Sequence, residues 1–381
     1  MKWMMPAAFA LTCCLAVTGA AAGVEYFVAP TGADDNPGTM QQPFASLTRA
    51  RDAIRALKAA GGLPEGGVTV WLRGGTYYLP ESFQLGPDDS GTESAPIVYR
   101  RWGDEEVWIS GGRAIDPSHF KPVTNAAVLG RLDPSARGKV LQLDMAAEGI
   151  TDYLPELPDK FLGASNTFPV MLEVFCNGER MQLARWPNEG FSHFADIVDT
   201  GSGLRDRTGP ERPGVFSYEG DRPERWRTEE GVWLLGYWAR AYICEVARVG
   251  SIDTEKKQIA LAVPMHYGLD TWGAKRFFAL DVLEELDIPG EWYLDRKRGV
   301  LYFWPPAAPD RCAVTISMLK DPMIWMQGAS WVTIRGVGLE NGRLDAVSIN
   351  KGDHDTVIGC TIRNVGRHAV QVSGGSDHGV V

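Results

Sequence analysis

The chain has 381 residues, 38 Lys and Arg against 48 Asp and Glu, and a formal net charge of −10 at pH 7. Such an acidic surface argues against nucleic acid or anionic membranes as partners, because both demand basic patches. With 44% hydrophobic residues, and Gly, Trp and Tyr interleaved among Leu, Ile and Val, disorder is set aside as well.

Residues 1–22 have the three parts of a secretory signal: Lys2 near the start, an apolar stretch from Met4 to Val17, and the small-residue exit Ala20-Ala21-Ala22. Cleavage after Ala22 would leave a secreted or periplasmic protein without membrane attachment, since the apolar run is short for a span. Cys13 and Cys14 would leave with the signal. Cys176, Cys244, Cys312 and Cys360 remain, far apart and in no Cys-x-x-Cys arrangement, so neither a zinc site nor a redox motif is expected. One disulfide among the first three stays open in an oxidising compartment, and buried free thiols are the expectation.

An extended segment from Val24 to Ala29 leads into the turn-rich run Gly32 to Gly38. Asp34, Asp35 and Asn36 lack complete calcium-loop spacing, so an Asx and Pro-Gly turn is expected, with no metal and no cofactor. Ser46 then reads as an N-cap, and Leu47, Ala50, Ile54 and Leu57 recur at helical spacing until Gly61 and Gly62. Short strands follow at Val68 to Leu72, Thr76 to Leu79, Ile97 to Tyr99 and Val107 to Ser110. No crossover helix separates them, which points to a solenoid whose open apolar end is covered by that one helix.

Near the other end the sequence repeats at an offset of 23. Asn341 falls over Asn364, Leu339 over Ile362, Ala346 over Ala369, Val347 over Val370 and Ile349 over Val372, and the same offset carries Val347 back to Ile324. A period of this size, with short β runs and no helix, is that of a parallel β-helix with coils stacked about 4.8 Å apart. Asn341 and Asn364 are expected to stack as an internal amide ladder that satisfies the turn backbone. Between residues 119 and 312 the period is lost among strands and loops rich in Trp, Arg and Pro, with a hairpin joining Glu291–Leu294 to Val300–Trp304. The chain thus divides into 23–118, an inserted β-rich domain at 119–312, and further coils at 313–381.

The stretches Tyr26-Phe27-Val28-Ala29-Pro30, Asn36-Pro37-Gly38-Thr39 and Leu72-Arg73-Gly74-Gly75-Thr76-Tyr77-Tyr78 are similar to the opening of bacterial right-handed parallel β-helix glycoside hydrolases. Asn177-Gly178-Glu179-Arg180, Ala184-Arg185-Trp186-Pro187-Asn188, Gly236-Tyr237-Trp238 and Pro289-Gly290-Glu291-Trp292-Tyr293-Leu294-Asp295 resemble the insertion of glycoside hydrolase family 141, with family 120 more distant. The resemblance implies an all-β fold, a right-handed pectate-lyase-like solenoid with an N-terminal capping helix and an inserted β-domain. It also implies hydrolysis of plant-type polysaccharide or oligosaccharide, xylan- or fucose-containing. Polysaccharide lyase and non-catalytic carbohydrate-binding protein are the alternative readings.

Glycoside hydrolysis needs two carboxyl groups flanking the scissile bond. The strand alternation turns Ser348 and Gln371 outward, and neither is an acid. The polar residues beside the strands are Arg343, Asp345, Arg367, His368, Asp353, His354, Asp355, Asp377 and His378, each expected as a solvated turn residue. Among them Asp345, His368 and Asp377 are the weak catalytic candidates, with Asp345 and His368 on successive coils, one step out of register and close enough to pair. Arg185, Trp186, Asn188 and Trp272 are candidate sugar contacts, with orienting a turn and linking the insertion to the solenoid the alternative role for Arg185 and Asn188, whereas Trp238 and Trp292, inside strand-like runs, are expected in the core. Gly379, Val380 and Val381 fall over Thr356, Val357 and Ile358, so later coils are expected to be missing. The resemblance places the main catalytic carboxylates on those coils, and the chain alone is therefore expected to be inactive.

Overall fold

The computed structural model describes residues 23–153, 160–162, 171–203, 210–270 and 275–381. The proposed signal, and Trp272 with it, lie outside the described residues.

Three parallel sheets form a right-handed β-helix. The first stacks Val24–Val28, Val68–Leu72, Ile97–Arg101, Val332–Arg335, Thr356–Ile358 and Gly379–Val380. The second stacks Gly75–Tyr78, Val107–Ser110, Gly338–Glu340 and Thr361–Arg363, and the third Phe83–Leu85, Ile324–Gln327, Val347–Asn350 and Val370–Ser373. The 23-residue offset is the observed register: Ile324 pairs with Val347 and Val347 with Val370, Leu339 with Ile362, and Ile334 with Val357. Inward residues of all three sheets join one core that includes Val70, Tyr99, Ile109, Ile324, Ile334, Leu339 and Ile349. The helix Leu47–Gly61 lays Leu47, Ala50, Ala53 and Ile54 on the end of that core, and Ser46 Oγ caps it by accepting from Arg49 N. Asp34 accepts from Ala45 N and Ser46 N, 11 and 12 residues further on, and so ties the turn-rich run to the start of the helix through a contact that is not a local Asx turn.

Between Ser110 and Ile324 the chain leaves the solenoid, yet the coils on either side stack directly, Ile97 on Val332 and Trp108 on Gly338. The excursion therefore takes the place of the turn joining the second sheet to the third, and emerges from that one corner. Its exit strand Gly112–Ile115 and return strand Val314–Ser317 pair antiparallel, and Val174–Cys176 pairs beside them. Gly111 is required here, since a Cβ would lie 2.9 Å from Gly342 Cα. Most remaining strands are antiparallel, in a nine-stranded and a five-stranded sheet, and the latter contains the Glu291–Asp295 and Val300–Phe303 hairpin.

Three expectations are corrected. Cys176 and Cys312 form a disulfide, because adjacent strands bring their Cα atoms to 5.3 Å; Cys244 and Cys360 are free. The amide ladder is not formed: Asn341 Nδ2 donates to Ser110 Oγ at 3.4 Å and Asn364 Nδ2 to Gly178 O at 2.6 Å. Both asparagines instead provide a left-handed backbone at the corner, with φ of 62° and 54°. Asp345 and His368 are also in register, 23 residues apart like the other paired coils after the excursion.

Candidate corner site

The corner from which the excursion leaves carries an open groove of about 630 Å³, lined by Tyr78–Glu81 of one coil and by Gly112–Ala114 and Met318–Asp321 of the excursion's neck. Tyr78 is 50% exposed although its neighbour Tyr77 is buried, because strand alternation points successive side chains to opposite faces. Glu81, Asp321, Arg113 and Lys320 are exposed around it. Lys320 pairs with Asp152, and Arg113 Nη1 donates to Glu148 O at 2.5 Å. An exposed aromatic face flanked by carboxylates and cations can stack on a sugar ring and bond its hydroxyls. None of Tyr78, Glu81 and Asp321 stands out in the sequence, since the 23-residue period becomes visible only after the excursion.

Because Ile324 pairs with both Phe83 and Val347, the positions two residues earlier form one column: Glu81, Pro322, Asp345 and His368. Asp345 is 2% exposed. Its Oδ1 accepts from His368 N at 3.1 Å and lies 2.9 Å from His368 Nδ1. The carboxylate thus orients a histidine ring that is 44% exposed. Asp345 is no solvated turn residue, and neither is Arg343, which is 2% exposed. Stacking draws both inward: each corner side chain meets the backbone of an adjacent segment before it meets water. Arg343 Nε donates to Ser317 O at 2.7 Å, and both terminal nitrogens have no partner. Burial lowers this guanidinium to about 10. The carboxyl of nearby Glu173 is pushed the other way, up, by the same burial; it holds Arg180 at 3.1 Å with one oxygen while the other has no hydrogen-bond partner.

Asp377 lies at a different corner, between the third sheet and the first, so the fold separates it from Asp345 and His368. It is exposed, 3.9 Å from His354 Nε2, and His354 stacks on Trp331 at 4.1 Å. Beside them Asp355 is fully buried, against expectation. It continues the inward column of Val68, Ile97 and Val332, and the next position in that column is His378. Asp355 Oδ1 accepts from Val332 N at 3.0 Å, while its own N–H donates to His378 Nδ1 at 3.3 Å. Burial pushes the carboxyl up to about 7. Asp355 Oδ2 and His378 Nε2 have no hydrogen-bond partner. Among the described residues, no group of three or more His, Cys, Asp or Glu side chains is disposed to hold a metal ion.

The sugar contacts expected in the excursion are engaged internally. Arg185 donates to Pro187 O at 2.8 Å and Gly190 O at 2.6 Å, and Asn188 Nδ2 donates to Asp287 Oδ1 at 2.9 Å. Trp186 packs against Trp226 and Phe277. Trp238 and Trp292 are core residues, as expected. Glu291, fully buried and pushed by burial up to about 7, accepts from the backbone of Arg185, Asp287 and Ile288 and organises the surrounding loops.

No family model matches the chain. A stretch of 97 residues is 35% identical to the uncharacterized protein YwoF of Bacillus subtilis, covering 26% of this chain and 18% of that protein. Another of 114 residues is 35% identical to the pectate lyase PEL9 of Emericella nidulans, covering 30% of this chain and 23% of that protein. The matches thus span less than a quarter of either relative. A solved structure described as a glycoside hydrolase is similar in fold, with a TM-score of 0.65 at 18% identity, over 88% of this chain and 61% of its own.

Proposed function

We propose that this protein binds a plant-type saccharide chain in the corner groove and cleaves its glycosidic bonds, as an exported relative of glycoside hydrolase family 141 acting on xylan- or fucose-containing material. The observation that carries the reading is the exposed face of Tyr78 in one groove with the carboxylates Glu81 and Asp321, where a coil meets the neck of the excursion. Asp345 and the histidine it orients lie on the adjoining coils of the same corner. Glu81 and Asp345 stand two coils apart in one column, which sets their backbones about 10 Å from each other. Asp345 itself is buried against His368, so the carboxyl groups that reach the groove are Glu81 and Asp321, the two-carboxyl complement that glycoside hydrolysis requires, and Asp345 acts through the histidine it orients. The Cys176–Cys312 disulfide supports export, because such bonds persist in oxidising compartments.

A second reading has its own observation. An Asp-oriented imidazole facing solvent is suited to removing a proton next to a uronate carboxyl, which is the lyase step. The chain should be assayed on xylan, fucosylated oligosaccharides and polygalacturonate. New reducing ends without unsaturated-uronate absorbance support hydrolysis, absorbance supports the lyase, and binding without product leaves a carbohydrate-binding protein. Turnover that survives both Glu81→Gln and Asp345→Asn would sink the corner as the reacting site.

A further inference from the structure

A second cavity, of about 330 Å³, lies in the excursion between the helix Ala126–Arg131 and the turn Arg222–Arg225. Its lining includes Arg131, Arg137, Arg225 and Arg227 together with Asp133 and Glu284. Four guanidiniums around one small cavity stand out in a protein whose net charge is −10. Their partners are unequal. Arg131 is matched twice, by Glu284 at 2.6 Å and Glu230 at 2.7 Å. Arg227 shares Glu284 at 4.0 Å, while Arg225 donates to the Glu284 carbonyl and Arg137 to Leu132 O. Among the described residues, no carboxylate forms an ion pair with Arg137 or Arg225; Arg225 acts on Asp133 only through its field, and the four guanidiniums of the lining outnumber its two carboxylates. Glu284, 4% exposed, anchors the floor.

We propose that this cavity is a subsite for the carboxylate of a uronic acid, so that the saccharide bound by this protein carries acidic sugars. The forked donors of Arg137, Arg225 and Arg227 match a planar carboxylate. Asp133, one oxygen of which accepts from Ser135 N, can accept from a sugar hydroxyl with the other, and its charge together with that of Glu284 disfavours a bare phosphate or sulfate dianion. The mixture fits a sugar acid better than an inorganic anion. The proposal rests on reading the chain as carbohydrate-binding, and goes beyond it by fixing the charge of the ligand.

Calorimetric titration of the whole chain with galacturonate trimer, xylotriose and sodium sulfate tests it, using wild type, Arg137→Gln, Arg227→Gln and Tyr78→Ala. All three positions are exposed, so the fold is retained. Expected is binding of the trimer that weakens roughly tenfold in each arginine variant and falls with salt. Xylotriose binding should be indifferent to those variants and reduced only by Tyr78→Ala. Trimer binding unchanged in both arginine variants, or binding of sulfate without the trimer, overturns the uronate subsite. Loss of the corner reading is seen separately, as xylotriose affinity that Tyr78→Ala does not alter.

Discussion

Asp355 sits far from its ordinary chemistry: a carboxyl in the column of Val68, Ile97 and Val332, with His378 next in line and its Nδ1 3.6 Å from Asp355 Oδ2. Its folded value of about 7 lies above the ordinary 3.8, so the native state keeps a proton that the unfolded chain releases. Its contribution to stability is full below pH 3.8 and is lost as pH rises through about 7. Asp355→Asn retains an acceptor for Val332 N and removes the ionisation. Urea unfolding should find this variant more stable than wild type at pH 8, by up to about 4 kcal/mol, with the gap closing near pH 4. An equal gap at both pH values would refute a buried, proton-holding carboxyl. At the other corner, Tyr78→Ala should weaken saccharide binding roughly three- to tenfold, while moving stability by less than about 0.5 kcal/mol.

Two elements close the structure at its weak points. The helix Leu47–Gly61 covers the first coil, and its cap is worth about 1 kcal/mol, so Ser46→Ala should lower the unfolding midpoint by that equivalent. The neck of the excursion is secured by Cys176–Cys312, which links residues 136 apart in sequence. Replacing both cysteines with serine should cost about 2–5 kcal/mol in chemical denaturation. An unchanged midpoint would mean that the paired strands Val174–Cys176 and Val314–Ser317 hold the neck by themselves.

At the scale of the whole molecule, the solenoid core and the main cores of the excursion are distinct clusters, which supports reading the excursion as a unit of its own. Scanning calorimetry is expected to resolve two transitions, and one cooperative transition would count against that division. If the chain is exported as proposed, mass spectrometry of the secreted form should find Gly23 at or next to its N-terminus. Retention of Met1 in that fraction would contradict it.

Much of the solenoid was legible from residues 313–381, because side chains that stack coil on coil must repeat with the coil: Ile324, Val347 and Val370 form one column for that reason. The capping helix and the Glu291–Asp295 hairpin were legible because capping, periodicity and turn chemistry are local. Long-range geometry was not. The pairing of Cys176 with Cys312 depends on two strands meeting across 136 residues. Burial of Arg343 and Asp355 runs against their residue types, and Tyr78, Glu81 and Asp321 become one groove only where the excursion leaves its corner. The sequence by itself determined the repeating unit, since a column of side chains records its own period. Only the tertiary structure decided which polar groups are hidden and which share a surface, because the first depends on how one coil seats on the next and the second on segments that meet across more than two hundred residues.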